Sequence, residues 1–269
     1  SDVCSFDLER RVSRKAGDGA AYMAATLAKG LEVLEALSEV EEIGLTELGR
    51  RIDISGPTLF RLLATLAALG YVQKSGSRYR LTLKSWEVGS KAVRRLKLRD
   101  LVRPRAERLA ERSAESAHLA VLQGSGVVII DKVEAVQPVR VDTYVGQRAP
   151  AHCSATGKAM LAFLPDSRVE EVLDGSLERY TERTVVDGAK IRKELAQVRS
   201  RGYATNKGEW RADVSAIAVP IFDHAETVVA SLSLTMPTQR FTDGAIRKSF
   251  LPALEEAAAA ISADLGRTP

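Results

Sequence analysis

The first third of the chain carries leucines at helical spacing, separated by short polar breaks. A first amphipathic helix is predicted to begin near Thr26, whose hydroxyl suits an N-cap. Its predicted apolar face consists of Leu27, Leu31, Leu34 and Leu37. A second, shorter helix is predicted at residues 47–52 after Gly44, with Thr46 as its N-cap. The pattern therefore predicts two consecutive helices that pack through their apolar faces.

A third helix follows a tight break at Asp53-Ile54-Ser55-Gly56. Ser55 is its predicted N-cap, and Pro57 suits the first turn because a backbone donor would have no partner there. The predicted buried positions are Leu59, Leu62, Leu63, Leu66 and Leu69. The opposite arc carries Pro57, Phe60, Arg61, Ala64, Thr65 and Ala68, with Thr58 on its edge. This arc contains no acid and few large side chains, so it can approach a groove closely.

Gly70 ends the third helix and introduces a hairpin. Residues 71–73 and 78–83 alternate apolar and polar positions like two strands, and residues 74–77 form the predicted tip. Helix, turn, helix and hairpin in this order predict a winged helix-turn-helix, mostly α with a small β wing. The second helix of such a module enters the DNA major groove. An all-helical adaptor with an incidental basic wing is the alternative interpretation.

The remainder mixes helical and strand patterns. A linker helix is predicted from Leu83 to Leu101. We expect Pro104 to mark the domain boundary, with a resumed helix from Arg105 to Ser116 as the alternative. Strands are predicted at residues 118–123, 127–133, 139–145, 214–222 and 227–236. Ser154, Asp187 and Thr242 are predicted to cap the helices that follow them. Antiparallel strands with helices at their edges are typical of an α+β domain.

The net charge of +4 is unevenly distributed. Between Ser55 and Arg99 there are 10 basic residues and one acid, Glu87, whereas the chain from Arg103 onwards is neutral. A local excess of this kind is typical of a surface that binds a polyanion. The charge distribution therefore supports DNA binding by the predicted winged module.

The cysteine count and the lengths of the apolar runs indicate where the protein is expected to be found. The chain has 2 cysteines among 269 residues, too few for a disulfide framework. No apolar run reaches the ~18 residues that cross a bilayer, and the N-terminal sequence has no secretion signal. We therefore expect a reduced, cytoplasmic protein without a membrane partner.

Catalytic and metal-binding patterns are weak. His152 and Cys153 are adjacent and so point in different directions, and Gly157-Lys158 lacks the flanking residues of a phosphate-binding loop. The histidines His118, His152 and His224 are scattered without ligand spacing. We predict no catalytic residue, no metal and no cofactor. The alternative is a hydrolase-like enzyme of small molecules, tethered by a DNA-binding module, but no nucleophile and base converge in the pattern.

Several separated segments resemble the IclR family of bacterial transcriptional regulators, over about nine-tenths of the chain. The N-terminal matches are LAKGLEVLEAL and LTELGRRIDISGPTLFRLLATLAALGYV. The C-terminal matches are VGQRAPAHCSATGKAMLAFLP, ELAQVRSRGYATNKGEW, IAVPIFD and VVASLSLTMPTQRFT. Their number and order make the resemblance specific.

The resemblance implies a winged helix-turn-helix, a linker helix and an α+β domain with a GAF-like sheet that binds a small organic acid or aromatic metabolite. It also implies homodimers, and dimers of dimers, on palindromic operators in double-stranded DNA, with repression favoured over activation. The expected parts are a disordered tail at residues 1–25, the DNA-binding domain at 26–83, the linker at 84–103, and the effector-binding and oligomerisation domain at 104–269.

Two positions depart from the family pattern. Gly56-Pro57 replaces a polar or basic residue and a serine, which removes phosphate contacts expected at the start of the recognition helix. Asp213 replaces a glycine near the expected effector pocket, and its carboxylate argues against a simple anionic effector.

The predicted site residues fall into two groups. We expect DNA contacts from Ser55, Thr58, Arg61, Thr65, Lys74, Arg78 and Arg80, with Arg61 reading a guanine edge or holding a phosphate. The helix start after Ser154 has free backbone donors that suit an anion. By resemblance, the effector contacts are Val141, Ala155, Thr156, Asn206, Glu209, Asp213, Ala216, Ser233 and Thr235.

Overall fold

A computed structural model describes residues 24–95, 98–174 and 177–267. The chain divides into two compact units, Ser1–Ala92 and Val93–Pro269. The tail predicted to be disordered, residues 1–25, lies outside the described residues except for its last two. No helix in the described part is long and apolar enough to cross a membrane.

The first unit is a winged helix-turn-helix, as predicted. Its elements are α1 (Ala25–Ser38), β1 (Ile43–Gly44), α2 (Leu45–Arg51), α3 (Gly56–Ala68), β2 (Val72–Ser75) and β3 (Arg78–Leu81). The strands form an antiparallel sheet in the order β1-β3-β2. The wing turn is tighter than predicted, since Ser75 still pairs with Arg78 and Gly76 adopts a positive φ of 59°.

The predicted apolar face of α1 was wrong in part. Gly30, Val33 and Leu37 are buried, whereas Leu27 and Leu31 are 64% and 54% exposed. Gly30 faces Leu62 of α3, and a methyl group there would lie 3.9 Å from a Leu62 methyl. Gly30 therefore lies on the buried side of α1, towards α3, whereas Leu27 and Leu31 lie on the exposed side.

Two predicted caps in this unit were also wrong. Residue 24 precedes α1, so Thr26 lies inside the helix. Gly44 is the N-cap of α2 instead of Thr46, because strand β1 pairs with β3 and leads directly into the helix. Ser55 lies at the N-cap position of α3 as predicted, with Pro57 in the first turn, but its hydroxyl makes no hydrogen bond to the helix backbone. On the predicted leucine face, Leu66 is half-buried and Leu69, beyond the helix end, is exposed; the other members are buried.

Two helices connect the units along the chain. The first, α4 (Lys84–Arg95), runs across the division at Ala92, and α5 (Leu98–Ser113) belongs to the second unit. Pro104 lies inside α5 and does not end a helix, contrary to its predicted role as a boundary. Burial of Val102, Ala106 and Leu109 on the sheet holds α5 together despite the missing backbone donor.

The second unit is an α+β domain built on one antiparallel sheet. Its strands are β4 (Ser116–Gln123), β5 (Gly126–Val133), β6 (Arg148–Pro150), β7 (Ala204–Lys207), β8 (Val214–Phe222) and β9 (Val228–Pro237), in the order β6-β5-β4-β9-β8-β7. Its further helices are α6 (Ala155–Leu161), α7 (Asp166–Leu173), α8 (Gly188–Arg201), α9 (Asp243–Ala245) and α10 (Leu251–Asp264), with a π-helical turn at Ile246–Phe250.

Most element predictions for this unit were confirmed, with one clear exception. Ser154, Asp187 and Thr242 cap their helices through side-chain oxygens, as predicted. The segment predicted as a strand at residues 139–145 has no sheet partner. Val141 and Thr143 are nevertheless buried, so their alternation reflects a coil packed against the unit and not a strand ladder.

The two faces of the sheet differ in chemistry. One face packs large aliphatic residues, including Leu119, Ile217 and Leu234, against α5 and α10. The other face lies beneath α6, α7 and α8 and presents small residues, including Ala204, Ala216 and Ala218. Because successive strand residues alternate between faces, the same strands build both surfaces. The small-residue face contains the candidate effector site.

Candidate DNA-binding surface and effector site

The outer arc of α3 carries Phe60, Arg61, Ala64 and Thr65, all exposed, as the sequence predicted. The hydroxyl of Thr65 donates to the Arg61 carbonyl at 2.9 Å. At the start of the helix, the Ser55 hydroxyl donates to the Thr58 hydroxyl at 3.0 Å. These hydroxyl protons are already used inside the helix, so Arg61 is the strongest hydrogen-bond donor on this arc.

The basic residues of the wing do not share one face. Lys74 pairs in register with Tyr79 and lies 5.8 Å from its ring centroid. Arg78 and Arg80 alternate with Tyr79 and point to the opposite face. Arg80 donates to the Gln73 side chain at 3.1 and 2.8 Å. The wing therefore presents positive charge on both faces.

Acids partly compensate this charge. Arg78 lies 3.3 Å from Glu42, and both side chains are exposed. On α4, Lys91 and Lys84 both donate to Glu87, and these hydrogen bonds lower the pKa of its carboxyl group. Exposed pairs of this kind contribute little to stability, so they can be exchanged for phosphate contacts.

The effector site predicted in the second unit lies on neighbouring strands. Asn206, Ala216, Thr235 and Ser116 pair in register and form one row across β7, β8, β9 and β4. The adjacent row consists of Ala204, Ala218, Ser233 and His118. The two rows bring together the four predicted strand residues, Asn206, Ala216, Ser233 and Thr235. Serine, threonine and asparagine supply donors and acceptors on an otherwise small-residue surface.

His118 belongs to this surface and was missed by the sequence analysis, which considered it only as a metal ligand. Its imidazole Nδ1 lies 3.0 Å from the Thr235 hydroxyl and its Nε2 lies 3.0 Å from the Thr143 hydroxyl. Burial, and secondarily the charge of Lys132, lower the pKa of His118 to about 4. The ring is therefore neutral at physiological pH. The signal in the sequence was the alternation of Ser116 and His118 with apolar neighbours on β4.

Helix α6 covers the small-residue face and ends at Leu161. Ser154 accepts a hydrogen bond from the Gly157 backbone at 3.2 Å, which uses one of the free donors expected at this helix start. Ala155 is buried in the same apolar cluster as Ala216, and Thr156 is half-buried. A helix of 7 residues offers a weak anion site, so the prediction of an anion at its start loses support.

Glu209 and Asp213 have environments that differ from the predicted rim of a pocket. The Glu209 carboxylate lies 2.8 Å from the ammonium of Lys158, which is fully buried and also contacts Glu194 at 2.7 Å. Burial raises the pKa of Glu209 against the opposing effect of Lys158. Asp213 is 72% exposed and lies 3.6 Å from Arg211. Glu209 is thus part of a buried ion cluster, and Asp213 faces solvent.

His152 and Cys153 do not form a reactive pair. His152 contacts the Glu178 carbonyl at 3.1 Å through Nε2. Burial raises the pKa of the Cys153 thiol to about 12, which keeps it protonated at physiological pH. Within the described part of the chain, no three His, Cys, Asp or Glu side chains cluster in a way that could hold a metal ion.

A winged helix-turn-helix followed by an α+β domain with a polar, small-residue sheet face defines a DNA-binding transcriptional regulator. Comparison with protein families agrees with this class. Residues 26–76 match the IclR helix-turn-helix domain, and residues 90–263 match the bacterial transcriptional regulator IclR C-terminal domain. The chain belongs to the IclR family of transcriptional regulators.

Individual relatives support the same conclusion. The HTH-type transcriptional regulator KdgR of Escherichia coli is 35% identical over 240 residues, which cover 87% of this chain and 90% of the relative. The transcriptional repressor IclR of Escherichia coli is 32% identical over 81% of this chain and 82% of its own length. An IclR homologue of Microbacterium hydrocarbonoxydans, solved with 4-hydroxybenzoate, superposes with a TM-score of 0.76 at 29% identity, covering 90% of this chain and 99% of that structure. Both curated relatives are transcriptional regulators.

Proposed function

We propose that this regulator represses transcription from a palindromic operator and is controlled by a small organic acid or aromatic metabolite in its C-terminal unit. Residues 26–83 bind DNA, residues 84–103 act as the linker, and residues 104–269 bind the effector and oligomerise. The observation that carries this proposal is the buried polar surface around Thr235 and His118, set in a domain whose relative was solved with an aromatic acid. As a DNA-binding regulator it acts in the cytoplasm.

We propose that Arg61 is the main DNA contact of α3. It is exposed on an arc without acids. Ser55, Thr58 and Thr65 would add short hydroxyl contacts, for which Ser55 and Thr65 would exchange their hydrogen bonds inside the helix. Lys74, Arg78 and Arg80 would hold phosphate from the two faces of the wing. A bidentate arginine–guanine contact contributes about 1–3 kcal/mol of discrimination.

Gel-shift titration at fixed salt tests this assignment, using an operator selected from a random DNA library. We expect Arg61→Ala to weaken binding about tenfold to a hundredfold. Arg168→Ala, an exposed arginine of the second unit, serves as the matched control and should bind like wild type. Unchanged affinity of Arg61→Ala would remove this residue from the interface.

We propose that the effector binds against the polar sheet face, between the strands and the start of α6. Its contacts are the predicted residues Val141, Ala155, Thr156, Asn206, Ala216, Ser233 and Thr235, whereas Glu209 and Asp213 act outside direct contact.

A thermal-shift screen of organic acids tests the site. The double variant Thr156→Trp, Ser233→Leu should lose the ligand response of wild type, and equal responses of both proteins would disprove this location.

We propose a homodimer, and a dimer of dimers, as the DNA-bound form. Leu27, Leu31 and Trp86 are exposed large apolar side chains in the DNA-binding half of the chain, and their burial between subunits would be favourable. A two-fold dimer requires half-sites about 34 Å apart or a multiple of that spacing. Sedimentation of the protein with and without operator DNA tests both assemblies.

A further inference from the structure

The environment of His118 carries an inference about effector choice. The imidazole is 3% exposed and lies between two hydroxyls from distant parts of the chain, Thr143 in the coil after β5 and Thr235 on β9. Lys132 lies opposite His118 on the neighbouring strand, and its charge acts on the ring. The Lys132 ammonium donates a hydrogen bond to the Thr143 carbonyl at 2.5 Å and another to the Glu134 carboxylate at 2.9 Å. A cation beside the ring disfavours a second positive charge on it.

A neutral imidazole has one N–H donor and one lone pair, so it treats the two threonines differently. The threonine beside the N–H accepts a hydrogen bond and retains its own proton for another partner. The threonine beside the bare nitrogen donates its only proton to the ring and is left with acceptor lone pairs. In the other tautomer of His118 the two threonines exchange these roles, and one of them still keeps a free proton while the other has only acceptor lone pairs.

Within the described part of the chain, neither threonine hydroxyl makes a hydrogen bond other than the one to His118. The pair therefore offers one hydroxyl donor and one acceptor-only oxygen on opposite sides of a single ring. A ligand satisfies both only if it carries an acceptor and a donor separated by a comparable width. A carboxylate supplies the acceptor, and a hydroxyl across the carbon skeleton supplies the donor.

We propose that His118 is the specificity-determining residue of the effector site, selecting an acid with a remote hydroxyl over the same acid without it. This proposal rests on the effector site proposed above. The acid that lacks the hydroxyl leaves the acceptor-only threonine oxygen buried without a partner. One unsatisfied buried group of this kind weakens binding by about tenfold to a hundredfold.

Two matched pairs of probes test the preference by calorimetry at pH 7. These are 4-hydroxybenzoate against benzoate, and 4-hydroxybutyrate against butyrate. For at least one pair, wild type is expected to bind the hydroxylated acid at least tenfold more tightly. His118→Phe keeps a ring but removes both nitrogens, so it should bind the two acids of that pair with similar affinity. His118→Gln retains a carbonyl acceptor and an amide donor and should recover the preference.

Ser231→Ala is the control, because this serine lies on the same strand as Thr235 but donates to the Val219 carbonyl at 3.0 Å. It should leave the preference unchanged. If His118→Phe does not fold, Thr143→Val and Thr235→Val test the same pattern with nearly equal volume. Equal affinity of wild type for both acids of each pair that binds, or a preference retained without His118, overturns the role of this residue and leaves the effector site standing. Failure of all four acids to bind would count against the site itself.

Discussion

The two faces of the six-stranded sheet come from the same strands but have opposite chemistry. On β9, Leu232, Leu234 and Met236 belong to the aliphatic cluster with α5 and α10, while Ser231, Ser233 and Thr235 alternate with them on the other face. All six are buried or nearly so. The aliphatic side chains stabilise the fold by removing large apolar surfaces from water. The hydroxyl side chains bury less apolar surface; Ser231 donates to the Val219 carbonyl, and Thr235 lies beside the His118 imidazole. The comparison suggests that stability and recognition are assigned to separate faces.

The largest expected effect tests the aliphatic face. Leu234→Ala should destabilise the second unit by about 2–5 kcal/mol, because it removes a fully buried side chain and leaves a cavity. Ser233→Ala, one position away on the opposite face, should change stability by about 1 kcal/mol or less. Urea unfolding followed by circular dichroism measures both. Similar losses for the two variants would contradict the division of roles.

The next effect concerns pH and the polar face. The pKa of His118 falls from 6.5 to about 4 on folding. A depressed pKa contributes stability that is present above pH 6.5 and is lost as pH falls towards 4, because the unfolded chain binds the proton first. The loss at low pH amounts to up to about 3 kcal/mol. Unfolding titrations at several pH values should show a smaller acid loss for His118→Phe than for wild type. Parallel curves would show that another group dominates.

A smaller loss of stability is expected for a substitution in α6, the helix that covers the small-residue face of the sheet. A methyl group at position 157 would lie 2.3 Å from the Ala151 carbonyl oxygen, so α6 requires glycine there. Gly157→Ala should destabilise the unit by about 1–3 kcal/mol through overpacking against the backbone. Gly244→Ala, at a helical glycine with open space, is the control for the general effect of removing glycine. Thermal unfolding should separate the two variants clearly.

The smallest effect concerns the rim of the polar face. Asp213 is exposed and pairs loosely with Arg211, so Asp213→Asn should change stability by less than about 0.5 kcal/mol. It should also leave unchanged the affinity for any acid that binds in the thermal-shift screen if Asp213 lies outside direct contact. A large change in affinity would return Asp213 to the effector site predicted from the sequence.

Local patterns predicted the parts of the fold that depend on neighbours along the chain. The caps at Ser154, Asp187 and Thr242 and the strand Val214–Phe222 follow from residues close together in the chain, and all were confirmed. The winged module was predicted for the same reason. Its helices, turn and hairpin are each encoded within a short segment.

Tertiary structure decided the features that depend on residues far apart in the chain. Periodicity could not show which side of α1 is buried, because that side is set by packing against distant parts of the chain, where Gly30 faces Leu62. The buried ion pair of Lys158 with Glu209 joins residues 51 positions apart. His118 meets Thr235 across 117 positions. The sequence alone determined the family, the DNA-binding module and the order of the elements, since these depend on local spacing and short motifs. The chemistry of the small-residue sheet face was decided only when strand pairing brought distant polar side chains onto one surface.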